Sequence, residues 1–578
     1  MTTSTPPKED VNFVIELFSE GNFFDAVNVL ELLCKNYPDN SALFNINGAC
    51  LAGLKKYDEA INSYLKAIEL DSDNYKAYYN LAGVFEEIDE LKKAVEFYNK
   101  TISIEFNYAE AHNNLGNVFR QLGQKENAIK SFQNAIKINP QYLQAYLSLG
   151  IIYEQNKNFN EAVKNFKEVL SIKPDFAEIH NNLGVIFQEL GDINSATKHF
   201  KAALKAYPEF AEAINNLGNI YRTQNFFKEA LSCYDEAVNI NPNYVEANFN
   251  LGSMFQELKE TSKALKQYKK TLLLKSDYAE ALNNIGLIYK ELGKYKDSIR
   301  SYKKAIDSKP DFADAIFNLG TLYLHLMEYK KSLVHFQKAL EIKTDYVEAY
   351  NNSGIALKEL GEINEAIKNY EKAISINPQY AEAHNNLGNI LKHLERPYEA
   401  VKSYEITISI RPDYAEAHNN LGVTLMQLGH LKEAVDSFEN AISIDINYAD
   451  AFNNLGIVLN MIGRLDIASK NFQKAIEIKE DFAEAYSNFG NLLVALKDLD
   501  GALVKYEKAY SIKKDIDYNL GNLMHTEMHL ALWRNFYDSI NEIKIQLIEN
   551  QKVIDPFAFL ALIDDPMLHQ KVAQIYVN

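Results

Sequence analysis

Residues 109–117 read AEAHNNLGN, and the same nine letters return at 381–389. The glycine of that stretch orders the whole chain. Gly48, Ala82, Gly116, Gly150, Gly184, Gly218, Gly252, Gly286, Gly320, Gly354, Gly388, Gly422, Gly456 and Gly490 follow one another at intervals of 34 residues, without insertion or deletion. A degenerate earlier unit carries Val14 at this position. Fifteen units then cover 7–516, after a head (1–6) expected to be disordered and before a helical tail (517–578). Such a period marks stacked supersecondary units rather than the three or four domains that 578 residues otherwise suggest.

Other positions keep the register. Twelve residues after the repeat glycine stands Ala or Ser, as at Ala128 and Ser298. Sixteen after it stands Tyr or Phe, as at Phe132 and Tyr302. Pro140, Pro174, Pro208, Pro310 and Pro412 punctuate the ends of units. Gly123, Gly191, Gly293, Gly361, Gly429 and Gly463 fall seven after the repeat glycine, where a helix C-cap is expected. The pattern predicts two antiparallel helices per unit, brought close by Gly and Ala, with the ring filling the space beside them. The aromatics before each first helix, such as Tyr108, Phe176 and Tyr414, read as core between repeats.

Composition limits the function. The chain has 78 acidic and 60 basic residues and a net charge of −18, which argues against nucleic acid and against an anionic membrane leaflet. No run approaches the length of a membrane span, and MTTSTPPKEDVNF lacks the features of a secretory signal. Cys34, Cys50 and Cys233 form no CxxC pair, and their odd, scattered count suits free thiols in the cytoplasm.

The 34-residue spacing and its residue types resemble the tetratricopeptide repeat family. That resemblance implies an all-α fold: a right-handed superhelix of about 15 helix–turn–helix units, with the first helices lining a concave groove, and a short helical C-terminal extension. A homodimer through the convex face is a further expected association.

Two residues before the repeat glycine runs a row of asparagines: Asn80, Asn114, Asn182, Asn216, Asn250, Asn284, Asn318, Asn352, Asn386, Asn420, Asn454 and Asn488. Ile46 and Ser148 interrupt it. Asparagine is a poor helix former, so propensity does not select it. Two readings stand side by side. The amides bond a neighbouring helix and hold the stack, or they form a ladder that grips the backbone of an extended peptide. Four residues earlier lies an acidic row, Glu110 to Glu484, on the same helix face. These acids favour the helix dipole, or they bias the groove towards neutral or basic peptides. His112, His180, His384 and His418, one per unit, are too far apart to share an ion and read as packing residues.

The tail departs from the period. His525 and His529 lie one helical turn apart, a spacing open to zinc, but HTEMH is not HExxH and no third ligand is evident, so no metal site is assigned. The sequence HTEMHL, then Trp533, then PFAFLAL–DDP resembles the segment after the repeats in protein O-linked N-acetylglucosamine transferases of the bacterial and SPINDLY-like branch. The resemblance implies a repeat arm that binds extended Ser/Thr-containing polypeptides through its asparagines, for transfer from a UDP-N-acetylglucosamine donor. No Gly-rich phosphate turn and no nucleotide-binding lobe occur in the chain, so no catalytic residue and no cofactor is assigned, and the chain alone is expected to be inactive. The other reading is a stand-alone scaffold that gathers protein partners, with the tail as a capping element.

Overall fold

Each hairpin is held by a small residue set against a large one. In the helix Ala109–Gln121, Gly116 presents bare backbone to the ring of Phe132 on the helix Lys125–Ile138. A Cβ at Gly116 would lie 2.7 Å from that ring, closer than packed carbon atoms come, so the fully buried ring takes the space a side chain would occupy. The same pairing joins Gly286 to Tyr302 and Gly456 to Phe472. Ala128 and its counterparts, fully buried, bring the second helix close enough for that contact.

The computed structural model describes residues 5–533 and 536–577. The described part of the chain contains 34 α-helices and no strand. The all-α helix–turn–helix class expected from the period is what forms. Residues 1–4 of the head lie outside the described residues.

A left-handed residue ends every first helix of the repeats. Gly123 has φ +73°, and Gln124 N donates to Phe119 O at 2.8 Å, which closes the helix end. Where the sequence lacks glycine, the backbone still turns left: Lys55, Asp89, Lys157, Asn225, Lys259, Met327, Glu395 and Lys497 occupy the same step with φ of +57° to +62°. Period, not glycine, dictates the turn.

The chain divides into two compact units, Met1–Ser276 and Asp277–Asn578. The first holds the hairpins through Thr261–Leu274, and the second begins at the helix Ala279–Glu291. Within each unit the buried rings and aliphatic residues of one hairpin pack on the next.

In the second unit the period runs beyond 516. The helix Asn519–His529 places Asn522 on the asparagine row and buries Met524 where a repeat glycine would stand. Ala531 supplies the left-handed turn with φ +56°. Ile540, on the helix Phe536–Ile548, stands where a repeat carries its ring. The small and large partners have traded places, so the space stays filled. Two further helices, Pro556–Leu560 and Pro566–Val577, fold over this hairpin. Phe559 and Val572 are buried with Leu503 and Tyr506 of the last regular repeat.

Candidate peptide-binding face

The first helices carry the asparagine row, and all twelve predicted side chains are half-buried. The structure connects them through the residue 35 positions earlier. In the first unit, Asn80 Nδ2 donates to Asn45 Oδ1 at 3.1 Å, Asn114 to Tyr79 Oη at 2.9 Å, Asn216 to Asn181 at 3.1 Å and Asn250 to Asn215 at 2.9 Å. In the second unit, Asn318 donates to Asn283 at 2.9 Å and Asn386 to Asn351 at 2.9 Å. Asn420 donates to Asn385 at 3.3 Å, and both Asn454 to Asn419 and Asn488 to Asn453 span 3.0 Å. Asn352, whose register residue is Phe317, turns instead to Thr321 Oγ1 at 3.4 Å.

Seven of these nine acceptors are the first asparagine of an NN doublet, and those seven are buried: Asn181 is 2% exposed and Asn385 1%. Reading the sequence singled out only the second asparagine of the doublet, although the doublet itself was visible. Asn351 Nδ2 closes the local link by donating to Asn352 Oδ1 at 3.3 Å. The stack-holding role of the ladder is therefore present in the geometry. It leaves capacity over, because an amide has two N–H donors and two acceptor lone pairs and the inter-hairpin bond takes one donor.

One hairpin breaks the row. In the helix Leu143–Gln155, Leu147 and Ser148 replace the doublet. Asn182 has Leu147 at its register position, which offers no acceptor. Asn113 Oδ1, which an asparagine at 148 would reach, is buried without a partner.

The acidic row flanks the amides, and in the second unit it is tied to bases at the turns between hairpins. Glu280 pairs with Lys309 at 3.2 Å, Glu382 with Arg411 at 2.8 Å and Glu484 with Lys513 at 3.0 Å. Arg411 also lies 3.8 Å from the ring centre of Tyr414. Glu416 accepts instead from the buried Asn385 at 3.1 Å. Such exposed pairs are each worth about 0–1 kcal/mol, so they orient more than they stabilise.

The predicted histidines sit in the first turn of the first helices and reach back to the turns between hairpins. His112, His180, His384 and His418 each bring Nε2 to the carbonyl oxygen six residues earlier, at 3.3, 3.1, 3.1 and 3.0 Å. His569 does the same to Ile563 in the tail, at 2.6 Å. Burial pushes the imidazoles of His112 and His384 below their ordinary pKa. These are packing residues, and their position is filled in one repeat by Asn248, which donates to Pro242 O at 3.1 Å. The rings of His525 and His529 lie 4.5 Å apart, and among the described residues no three metal-ligating side chains converge. Burial raises the thiols of Cys34, Cys50 and Cys233 to about 11, far from nucleophilic range. Among the described residues no helix is long and apolar enough to cross a membrane.

Comparison with known proteins places this geometry in a family. A model described as TPR repeat matches residues 53–89, 116–157, 155–191, 218–259, 286–326 and 354–394. Two models described as tetratricopeptide repeat match 413–481, and 75–108, 177–210, 313–346 and 381–414. Together they span more than half of the chain, which belongs to the tetratricopeptide-repeat proteins. Among solved structures, the chain is similar to the APC/C hetero-tetramer Cut9–Hcn1, with 13% identity, 83% of this chain and 95% of that chain covered, and a TM-score of 0.39. It is similar to YrrB, described as a TPR protein with an unusual peptide-binding site, with 27% identity over 32% of this chain and 95% of that one, TM-score 0.28. It is also similar to MamA, with 26% identity over 30% and 96%, TM-score 0.27. No curated protein matches the chain in sequence. These comparisons do not show the O-GlcNAc transferase resemblance read from the tail residues.

Proposed function

We propose that this chain is a protein-interaction scaffold that holds an extended polypeptide along its first-helix face. The observation that carries this reading is the row of half-buried amides at a fixed 34-residue step. A site repeated at a constant step fits a ligand that itself repeats, and the repeating part of a polypeptide is its backbone. The acidic row beside it favours neutral or basic chains, such as Ser/Thr-containing segments. The proposal includes a cytoplasmic setting, fifteen regular repeats over 7–516 with the tail 517–578, whose first hairpin extends the period, packed on them, and a homodimer through the other face, which sedimentation would read.

The test replaces Asn318, Asn352, Asn386 and Asn420 with Ala. Circular dichroism checks that the helices persist, and fluorescence anisotropy follows an extended Ser/Thr-rich peptide. The expected result is a folded variant whose peptide affinity falls about tenfold or more. A folded variant that binds as well as the parent would remove the amide ladder from recognition and leave it the stack-holding role.

The narrower reading, a substrate arm for an O-GlcNAc transferase, is favoured by the tail motif and by apolar side chains exposed on the tail. Phe557 is 84% exposed and Met567 80%. It predicts that native protein captured through the repeats has a mass well above 65.9 kDa or brings down UDP-N-acetylglucosamine-dependent transferase activity. A native mass of 65.9 kDa without that activity would discard it.

A further inference from the structure

Beside the last regular hairpin, at the start of the tail, a cleft of about 800 Å³ opens. Four carboxylates line it, from Glu484, Asp515, Asp517 and Asp555, against one ammonium, that of Lys513. Lys513 is already paired with Glu484 at 3.0 Å. Asp555 uses Oδ1 to cap the helix Pro556–Leu560, accepting from Phe557 N at 2.9 Å and Ala558 N at 3.0 Å. Asp515 and Asp517 are exposed and form no ion pair among the described residues.

Two features point to a ligand rather than to a solvated acidic surface. The rings of Tyr518 and Tyr576, which both line the cleft, meet edge to face, 6.2 Å between centres. Ring faces beside carboxylates suit a cation, which is held by charge and by the quadrupole of the ring. Ser487 lines the same cleft at 4% exposure, and its hydroxyl has no hydrogen-bond partner among the described residues. Its position is that of the buried ladder acceptors Asn419 and Asn453. Asn522, one period after Asn488, does not reach it and bonds Asn491 Oδ1 at 3.0 Å. Asn488 and Asn522 also line the cleft, so it continues the ladder face.

We propose that this cleft takes an arginine side chain of a polypeptide lying along the ladder. The inference rests on the proposed function and adds a specificity to it. A guanidinium is planar, so it can stack flat on a tyrosine face and fork onto a carboxylate, whereas an ammonium is a compact point charge that can do neither. Asp515 and Asp517 supply the charge, Tyr518 and Tyr576 the stacking face, and Ser487 an acceptor at depth.

The experiment uses the full 578-residue chain and acetyl-arginine amide, read by ligand-observed saturation-transfer NMR. Saturable binding is expected, weakened by raised ionic strength and about tenfold weaker in Asp515→Asn/Asp517→Asn. Acetyl-citrulline amide, the neutral isostere, should not bind. Equal binding of citrulline, or unchanged arginine binding in the double variant, would overturn the proposal. Should the double variant lose its helical dichroism, Tyr576→Leu on the exposed side of the last helix serves instead, with the same expectation. A neutral Ser/Thr peptide followed by anisotropy keeps the two readings apart. If it binds and arginine does not, the cleft alone fails. If arginine binds and it does not, the ladder alone fails.

Discussion

Asn113 Oδ1 lies buried with nothing to accept from, because Ser148 stands where an asparagine would donate. The defect and its repair are both confined to one residue. Ser148→Asn should bring an amide within reach and raise stability by about 1 kcal/mol, the net worth of a hydrogen bond that satisfies a buried acceptor. Urea unfolding with an unchanged slope is the measurement, and a lower midpoint would refute it. His199 gives a second residue-scale test. Burial, His180 with its Nδ1 3.1 Å away, and Lys198 and Lys167 together push the His199 imidazole down to about 4. An unfolded histidine titrates near 6.5. Below about pH 6.5 the unfolded chain therefore takes up a proton that the folded site refuses. Stability should fall from about pH 6.5 to about 4 on this account and level off beneath. His199→Gln should show a shallower loss between pH 7.5 and 5 than the parent in urea midpoints.

At the scale of the element, the left-handed turn is the informative feature. Seven of these turns carry glycine, six of them legible from the repeat spacing and the seventh, Gly21, in the degenerate first unit. The eight formed by Lys, Asp, Asn, Met or Glu were not legible, because nothing in those residue types asks for positive φ. There the packed hairpin imposes a conformation that costs an L-residue roughly 1–2 kcal/mol. Met327 is the clearest case, 74% exposed with φ +58°. Met327→Gly should stabilise by about 1 kcal/mol after the entropy of the added glycine is subtracted. A fall in the thermal midpoint would count against this. The sixteenth hairpin was hidden for a related reason. Its marker residues are exchanged, with Met524 for the glycine and Ile540 for the ring, so packing volume is kept while the sequence pattern is lost. Asn522 was the surviving signal. The asparagine row was legible in full, but its partners, the buried asparagines such as Asn181 and Asn385, were not, because which side chain lies 35 residues back is a property of the stacked helices.

For the molecule as a whole, each repeat bonds chiefly to its neighbours, and this is what makes the fold so readable. A regular period leaves little to long-range accident. Function is less readable for the same reason. A face built to hold the stack and a face built to hold a peptide draw on the same amides, and sequence spacing does not separate the two uses. The acidic row shows the same overlap, with Glu382 neutralised by Arg411 in the stack while other acids face solvent.

The 35-residue reach of the ladder also has a consequence for how this chain can change length. Removing 34 residues shifts every later partner by one whole unit, so each bond finds an equivalent acceptor, whereas removing 33 or 35 brings the wrong side chain opposite. Excising 313–346 would give Asn352 the Oδ1 of Asn283, which Asn318 now holds, in place of its long bond to Thr321. The shortened chain should remain helical and keep its thermal midpoint within about 4 °C, since the cost or gain per bond is about 1 kcal/mol. A 33-residue excision from the same place should melt much earlier. In that sense the ladder works as a ratchet on the gene: length can be gained or lost in whole teeth, and slips between them are rejected by the fold.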